Sequence, residues 1–187
     1  MFSVAEFTDA IASATDQLRL VQQELGAITC PAIATLTINL QHLTLESIGE
    51  LLDDVPSGYR KTDKETDYVY VIRLPADKRH IVNSLWEQLE DARKLANDYC
   101  RINRENANTD TLYVGRSKKL KSRLTQHLGT EQHGVFSMHL QRWATGNDAE
   151  VSISYMKFER KEDLLVQAIE DGLWVSLRPA FGRKGER

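Results

Sequence analysis

Five cations stand close together in the stretch LYVGRSKKLKSRLTQHLG, residues 112–129, although the whole chain carries a formal net charge of −3. Within this stretch Arg123 and His127 are four residues apart, so on a helix their side chains share one face. An arginine fork can bind a phosphate through two parallel hydrogen bonds. The pattern predicts either a phosphate-binding face or an ordinary solvated cationic helix. The five cations are Arg116, Lys118, Lys119, Lys121 and Arg123.

A helix that begins after Gly115 would also direct its exposed amides and its dipole toward an anion. Tyr70 and Tyr113 lie in two stretches rich in β-branched and aromatic residues, which we expect to form neighbouring strands. A phenol can donate or accept a proton and can orient water near a phosphate. These groups suit phosphodiester hydrolysis if an acidic side chain also holds a divalent cation.

Glu170 is the candidate for that acidic side chain, because its neighbours in the last predicted helix are apolar. A carboxylate in such surroundings is costly unless a cation meets it. Spacing alone leaves four other acidic residues open as alternatives: Glu159, Glu162, Asp163 and Asp171.

The composition is that of a globular protein, with 41% apolar and 27% charged residues among 187. The negative net charge argues against a protein that coats nucleic acid without specificity, but leaves room for a local basic site. No apolar run is long enough to span a membrane, and the N-terminus lacks the layout of a signal peptide. Cys30 and Cys100 have no metal-type spacing and are predicted to be buried thiols, so a cytoplasmic location is the default expectation.

The N-terminal segment is predicted to form a helix that begins with a capping box of Ser3 and Glu6 and ends at Gly26. Its apolar residues recur at alternating steps of three and four, which is heptad spacing. This stripe is expected either to pack on its own domain or to associate with a second copy or a partner protein. Its residues are Val4, Phe7, Ile11, Ala14, Leu18, Val21 and Leu25.

Alternation of apolar and polar residues predicts three strands, over residues 67–74, 111–117 and 150–158. The expected fold class is α+β, a small three-stranded antiparallel sheet flanked by helices. Between the first two strands we expect a long helical insertion at about residues 76–106.

A loop over residues 56–67 is the predicted boundary between an N-terminal helical region, 1–58, and a domain over 67–187. Residues 27–42 show some alternation but receive no assignment. Beyond the N-terminal helix, helices are predicted over residues 43–55, 77–105, 118–128, 135–144 and 161–177.

Two triplets that contain tyrosine match the two motifs that give the GIY-YIG nuclease family its name, and residues 67 to 184 resemble that family. Arg123 lies ten residues after the second tyrosine, where that family has its arginine, and His127 matches a frequent histidine one helical turn later. Glu170 matches the family's metal-binding glutamate, which precedes a segment similar to residues 178–181. The triplets are Tyr68, Val69 and Tyr70, followed by Tyr113, Val114 and Gly115.

The chain departs from the family pattern at three points. Tyr68 replaces the glycine of the first triplet, and 42 residues, 71–112, separate two triplets that are usually joined by a short connection. Gly182 stands where the family has an asparagine that helps to organise the glutamate end of the site. The insertion is expected to recognise the target, to contact a partner, or only to add bulk to the domain.

The resemblance implies a metal-dependent DNA endonuclease of restriction, phage defence or DNA repair, with Mg²⁺ or Mn²⁺ held by Glu170. Arg123 would stabilise charge on the phosphoryl group, while a tyrosine, Tyr70 rather than Tyr113, would deprotonate or orient the attacking water. Nearby cations would have to lower the pKa of that tyrosine from roughly 10. His127 would share proton transfer or hold Tyr70. DNA would be bound by Arg116, Ser117, Lys118, Lys119, Lys121, Arg183 and Lys184.

Two other classes of function stay open. The same fold with weak or no activity would bind nucleic acid or act as a protein-interaction subunit. A structural subunit would use its heptad helix to recruit another enzyme. The presence of both tyrosines together with Arg123, His127 and Glu170 favours catalysis, since a binding module has no need of all five.

Overall fold

The computed structural model describes residues 3–57, 66–129, 135–159, 161 and 163–185, and within them the chain folds as α+β. The strands are β1 (Ile33–Asn39), β2 (Thr66–Arg73), β3 (Thr111–Ser117) and β4 (Glu150–Glu159). The helices are α1 (Val4–Ala27), α2 (Leu45–Leu51), α3 (Val82–Arg93), α4 (Leu120–Leu128) and α5 (Asp163–Leu177). The strands form one antiparallel sheet in the order β1-β4-β2-β3.

The predicted three-stranded sheet is corrected to four strands, because β1 comes from the stretch that received no assignment. β1 pairs with β4 along its whole length, ending with Asn39 opposite Glu150. Its apolar residues Leu36 and Ile38 pack against the main core. The N-terminal region is therefore not wholly helical, and its strand joins the sheet that carries both tyrosine triplets.

The side chains of β2 alternate between two cores, as the pleat of a strand requires. Tyr70 enters the main core together with the apolar stripe of α4, which includes Leu124. Val69 enters a smaller cluster with Val166 of α5. Helix α5 thus covers one side of the sheet, and α4 packs on the side that carries the tyrosines.

The outer edge of β3 is covered by the segment that follows α5. The backbone amides of Ala180 and Phe181 donate to the carbonyls of Thr111 and Leu112 over 2.8 and 2.9 Å. The insertion then covers this segment from outside, since Gly182 donates to the Arg101 carbonyl over 2.9 Å. The insertion and the chain's last described residues therefore meet beside β3.

The predicted helix over residues 77–105 is too long. A 3₁₀ turn, Ala76–Ile81, leads into α3, which ends at Arg93, and a second 3₁₀ turn spans Arg104–Asn106. Between them Cys100 donates its backbone N–H to the Ser137 carbonyl over 2.9 Å. This long-range pairing holds the backbone extended. The apolar residues of this stretch have the spacing of a helix, but the stretch is not helical.

The predicted helix over residues 135–144 is also wrong. Only Leu140–Arg142 is helical there, as a 3₁₀ turn. His139, directly before it, has a φ of 50°, in the left-handed region that a continuous helix cannot include.

The other predicted strands and helices of the domain are confirmed to within a few residues, and α2 forms inside the predicted stretch 43–55. The predicted loop over 56–67 lies mostly outside the described residues. In the part of the chain that the structure describes, no helix is long and apolar enough to cross a membrane.

Helix α1 begins with the predicted capping box, in which the Ser3 side chain and the Glu6 side chain each bond the other's backbone amide. It continues one residue past Gly26, so that glycine does not end it. None of its residues is buried. Its C-terminal end approaches α5, where Lys161 Nζ lies 3.8 Å from Glu24 Oε2.

Candidate active site

Tyr70 and Tyr113 form a stacked pair, with ring centroids 6.2 Å apart and an angle of 8° between the ring planes. Tyr70 of β2 stands opposite Gly115 of β3 in the sheet register. A Cβ at Gly115 would lie 2.6 Å from Tyr70 Oη and 2.8 Å from Tyr113 Cε1. The two rings therefore occupy the space that a side chain at position 115 would need, so this position requires glycine.

His127 joins this pair from α4. Its Nε2 lies 2.9 Å from Tyr70 Oη, and its Nδ1 lies 3.1 Å from Ser137 Oγ and 3.4 Å from the Met138 backbone nitrogen. Because a backbone N–H can only donate, Nδ1 accepts and the ring proton is assigned to Nε2, facing Tyr70. Burial, together with the charge of Arg123, lowers the pKa of His127 well below its usual value, so the imidazole is neutral.

Arg123 lies on the same side of the sheet, with a half-buried side chain. Its Nη2 donates to Tyr113 Oη over 3.3 Å and to the Phe136 carbonyl over 3.2 Å, while Nη1 donates to Gln126 Oε1 over 3.0 Å. These acceptors are all neutral. Among the described residues, no carboxylate forms an ion pair with Arg123.

Both phenols are protonated at neutral pH in this arrangement. Burial raises the pKa of Tyr70, with a further increase from Tyr113, and outweighs the lowering effect of Arg123. Burial likewise raises the pKa of Tyr113 against the effect of Arg123. Arg123 acts to lower both pKa values, but in the protein without a bound metal the effect of burial is larger.

The two tyrosines differ in access. Tyr70 is 1% exposed, whereas Tyr113 is 8% exposed and lines a pocket together with Phe136. A ligand in this pocket could therefore reach Tyr113 more readily than Tyr70. Tyr70 is suited to hold the ring of Tyr113 and the imidazole of His127.

Glu170 lies on α5 and is 8% exposed. Its Oε2 accepts a hydrogen bond from Gln167 Nε2 over 3.1 Å and lies 4.0 Å from Arg116 Nε. Burial raises the pKa of this carboxyl to about 7, although Arg116 acts in the opposite direction. Ionised Glu170 would therefore gain from a further cation nearby.

The other acidic candidates differ from Glu170 in their surroundings. Glu159 is exposed and pairs with Lys157. The Asp163 side chain is 54% exposed and lies 3.1 Å from Arg116 Nη2. Burial thus distinguishes Glu170, a difference that composition does not reveal; Glu162 lies outside the described residues.

The structure brings four predicted catalytic residues into one network, whereas the fifth, Glu170, lies on the α5 side of the sheet. Tyr113 and Arg116 are three residues apart on β3, so they leave the sheet on opposite sides. Arg116 accordingly meets Glu170 and Asp163 on the side of α5. The Glu170 carboxylate is still close enough to raise the pKa of Tyr70 and of Tyr113 slightly.

Glu170 is the one residue predicted to hold a divalent cation. Among the described residues, no group of three His, Cys, Asp or Glu side chains is arranged to hold a metal ion. Mg²⁺ in enzymes that act on phosphates is commonly held by one or two carboxylates, with substrate oxygens and water completing its coordination. The donor set therefore suits an ion that enters with a phosphate, and does not suit a resident structural metal.

The predicted DNA-binding residues differ in exposure, and several of them lie close to a carboxylate. Arg116 is 15% exposed and shares its charge with Asp163, while Lys121 Nζ lies 3.5 Å from Asp53 Oδ1. Lys118 Nζ lies 4.0 Å from Asp163 Oδ1. The side chains of Lys119, Arg183 and Lys184 are exposed, and Ser117 Oγ accepts from the Lys119 amide.

Several residues of the site carried no sequence signal. Ser137, which bonds His127, and Cys100 and Phe136, which line the pocket, lie in stretches that were predicted as helix. In the sequence, Gly182 is notable only because the GIY-YIG family has an asparagine at this position. In comparisons with protein-family models, with curated proteins and with solved structures, none matches the chain.

Proposed function

We propose that this protein is a metal-dependent endonuclease that hydrolyses phosphodiester bonds in DNA by GIY-YIG-type chemistry, in restriction, phage defence or DNA repair. The observation that carries the proposal is the guanidinium of Arg123. It is half-buried, hydrogen-bonded only to neutral acceptors within the described residues, and adjacent to the Tyr113 hydroxyl. A cation in such a setting favours an anionic ligand that also accepts a hydrogen bond, as a phosphate does.

In this proposal Arg123 binds the phosphate and stabilises the charge that develops on it. The Tyr113 hydroxyl, already bonded to Arg123, orients the water or donates to a phosphate oxygen. Tyr70 and His127 do not touch the substrate but hold Tyr113 in place from inside the core. We assign them as positioning residues, so the role of orienting the attacking water, first considered for Tyr70, passes to Tyr113.

Glu170 is proposed to hold one Mg²⁺ or Mn²⁺, which supplies Lewis-acid stabilisation of the scissile phosphate when bound. The carboxyl must be ionised for this role, and its pKa of about 7 makes ionisation depend on pH near neutrality. Arg116, 4.0 Å away, favours the ionised form. Exposed Lys119 and Lys184 are proposed to contact flanking phosphates, which positions DNA without reading its sequence.

A plasmid-nicking assay tests the proposal. Purified protein is incubated with supercoiled DNA in Mn²⁺, in Mg²⁺ and in EDTA. Nicked product in either metal and none in EDTA is expected, with Arg123→Gln losing at least about a hundredfold in rate. The matched control is Arg19→Gln, an exposed arginine of α1 that pairs only with Asp16 among the described residues.

A second candidate is a nucleic-acid-binding domain that does not cut. The raised pKa of both phenols favours it, because neither tyrosine is a base at neutral pH without help. The two candidates separate in one experiment: a binder retards DNA in the presence of EDTA and leaves plasmid intact in every metal.

We further propose that α1 pairs with α1 of a second copy. Its stripe residues Phe7, Ile11 and Leu18 are each more than half exposed. The positions that flank the stripe are uncharged except for Glu24, which lies near Lys161 of its own chain. An identical helix can therefore approach without like-charge repulsion. The uncharged flanking residues are Thr8, Ala10, Thr15, Gln17 and Gln22.

A further inference from the structure

A pocket of about 210 Å³ opens beside Tyr113, at the place where the insertion meets the segment after α5. None of the described residues that line it is acidic. Its walls combine guanidinium groups with aromatic rings. They include Arg93, Arg101, Arg183, Tyr99, Phe136 and Tyr113.

The insertion supplies two of these arginines, and they come from different local structures. Arg93 is the last residue of α3, whereas Arg101 lies in the extended stretch that follows. The Arg101 side chain is half exposed and lies 3.4 Å from Glu105, an exposed pair that contributes little and is readily exchanged for another anion. The pocket is therefore cationic on the side built by the insertion.

Gly182 keeps the pocket open. Its φ is 94°, a left-handed conformation that side chains rarely adopt, and a Cβ there would lie 2.7 Å from Tyr113 Cε2. No side chain can occupy this position without moving the Tyr113 ring. The glycine that replaces the expected asparagine therefore leaves one edge of Tyr113 facing the pocket.

Phe136 completes the pocket with an aromatic surface that has no cover within the described residues. Its side chain is 66% exposed, while its carbonyl accepts a hydrogen bond from Arg123 Nη2. The exposed ring of Phe136, whose carbonyl accepts from the proposed phosphate-binding arginine, is suited to stack on a base whose phosphate Arg123 holds.

We infer that this pocket takes one unstacked nucleotide next to the phosphate at Arg123, with its base against Phe136 and its own phosphate between Arg93 and Arg101. The inference rests on the proposed function and narrows its substrate to nucleic acid with an unpaired nucleotide, such as a single strand, a strand end or a bulge. A paired base within a duplex cannot enter a pocket of this size without leaving its stack.

The test measures binding without cleavage. Fluorescence anisotropy in EDTA compares a 16-base-pair duplex with the same duplex carrying one unpaired nucleotide. The wild-type protein is expected to bind the bulged duplex at least about tenfold more tightly, since the unpaired base can stack on Phe136. Equal affinity for the two probes would overturn the inference.

Two variants locate the effect. In Phe136→Ala the preference for the bulged duplex is expected to fall about tenfold, while the affinity for the paired duplex stays unchanged. The double variant Arg93→Gln with Arg101→Gln is expected to lose this preference as well. The control is Arg104→Gln, an arginine of the same insertion that pairs with Glu90 outside the pocket. A preference that survives in Phe136→Ala would contradict the inference.

The outcomes also separate this inference from the proposed function. A preference for the bulged duplex in a protein that never nicks DNA supports the pocket and contradicts the nuclease. Nicking by a protein that shows no preference supports the nuclease and contradicts the pocket. Circular dichroism of each variant checks that its fold is retained.

Discussion

The hydroxyl of Tyr70 lies 2.9 Å from Nε2 of His127, and both side chains are buried. The bond joins the central part of the sheet to α4, the helix that also presents Arg123. Since the Tyr113 ring stacks on Tyr70, this buried pair fixes the position of the two groups that we propose to meet the phosphate.

Replacing Tyr70 by phenylalanine is expected to lower the free energy of unfolding by about 1–3 kcal/mol, because the Nε2–H of His127 would be left buried without an acceptor. Urea denaturation measures the change. Tyr155→Phe is the control, since that half-buried hydroxyl makes no hydrogen bond within the described residues. Equal losses in the two variants would mean that the Tyr70–His127 bond does not stabilise the fold.

Replacing Gly115 by alanine is expected to destabilise the protein by about 1–3 kcal/mol, because the new methyl group would press into the two tyrosine rings. Gly49→Ala is the matched control: no atom outside its own stretch of helix lies within 4 Å of its Cβ position, and alanine favours the helix α2. Thermal unfolding should therefore show a lower Tm for the first variant and an equal or higher Tm for the second. An unchanged Tm in Gly115→Ala would show that the rings are not packed as described.

The pKa of Glu170 gives a pH dependence of known sign. Folding raises this pKa from 4.5 to about 7, so the native state binds the proton more tightly than the unfolded chain. The resulting stabilisation is complete below about pH 4.5 and is lost as pH rises through about 7. At about 1.36 kcal/mol per pKa unit, the loss is roughly 3 kcal/mol.

Urea denaturation from pH 4.5 to pH 8 checks this by comparing wild type with Glu170→Gln. The amide cannot titrate, so the difference between the two unfolding free energies should change across this range. Glu159→Gln, at an exposed position, should follow wild type at every pH. Parallel curves for wild type and Glu170→Gln would show that the carboxyl is not perturbed by burial.

Leu18 lies at the centre of the exposed stripe of α1, and Leu18→Asp is expected to convert a dimer into a monomer. Sedimentation velocity over a range of protein concentrations measures the mass. Gln23→Asp, on the opposite face of the same helix, should leave the dimer intact. A wild-type protein that stays monomeric at every concentration would remove this role from α1.

Local sequence signals located most of the strands and helices that carry the candidate residues, and long-range pairing explains what they missed. Arg123 and His127 share a helix, so their i, i+4 spacing alone placed them together, and period-2 alternation located β2 and β3. β1 depends on a partner more than 100 residues away, Asn39 opposite Glu150, and as an edge strand it buries little of its surface. No local pattern carries that pairing.

The pocket escaped prediction for the same reason. Its walls come from the insertion and from the segment after α5, which meet only because both pair alongside β3. The extended conformation around Cys100 is set by its bond to Ser137, so residues with helical spacing form a pocket wall instead. The conformation of Gly182 became evident only beside the ring of Tyr113.

The most direct test of the central claim is to measure nicking and DNA binding in parallel for wild type, Glu170→Ala and Glu159→Ala. Nicking in Mn²⁺ or Mg²⁺ should disappear in Glu170→Ala, while its affinity for DNA in EDTA stays within about twofold of wild type, because Arg123 and the exposed lysines remain. Glu159→Ala, an exposed carboxylate at the end of β4, should cut at the wild-type rate. Metal-dependent nicking at the wild-type rate by Glu170→Ala would contradict the proposed metal site and, with it, the endonuclease mechanism.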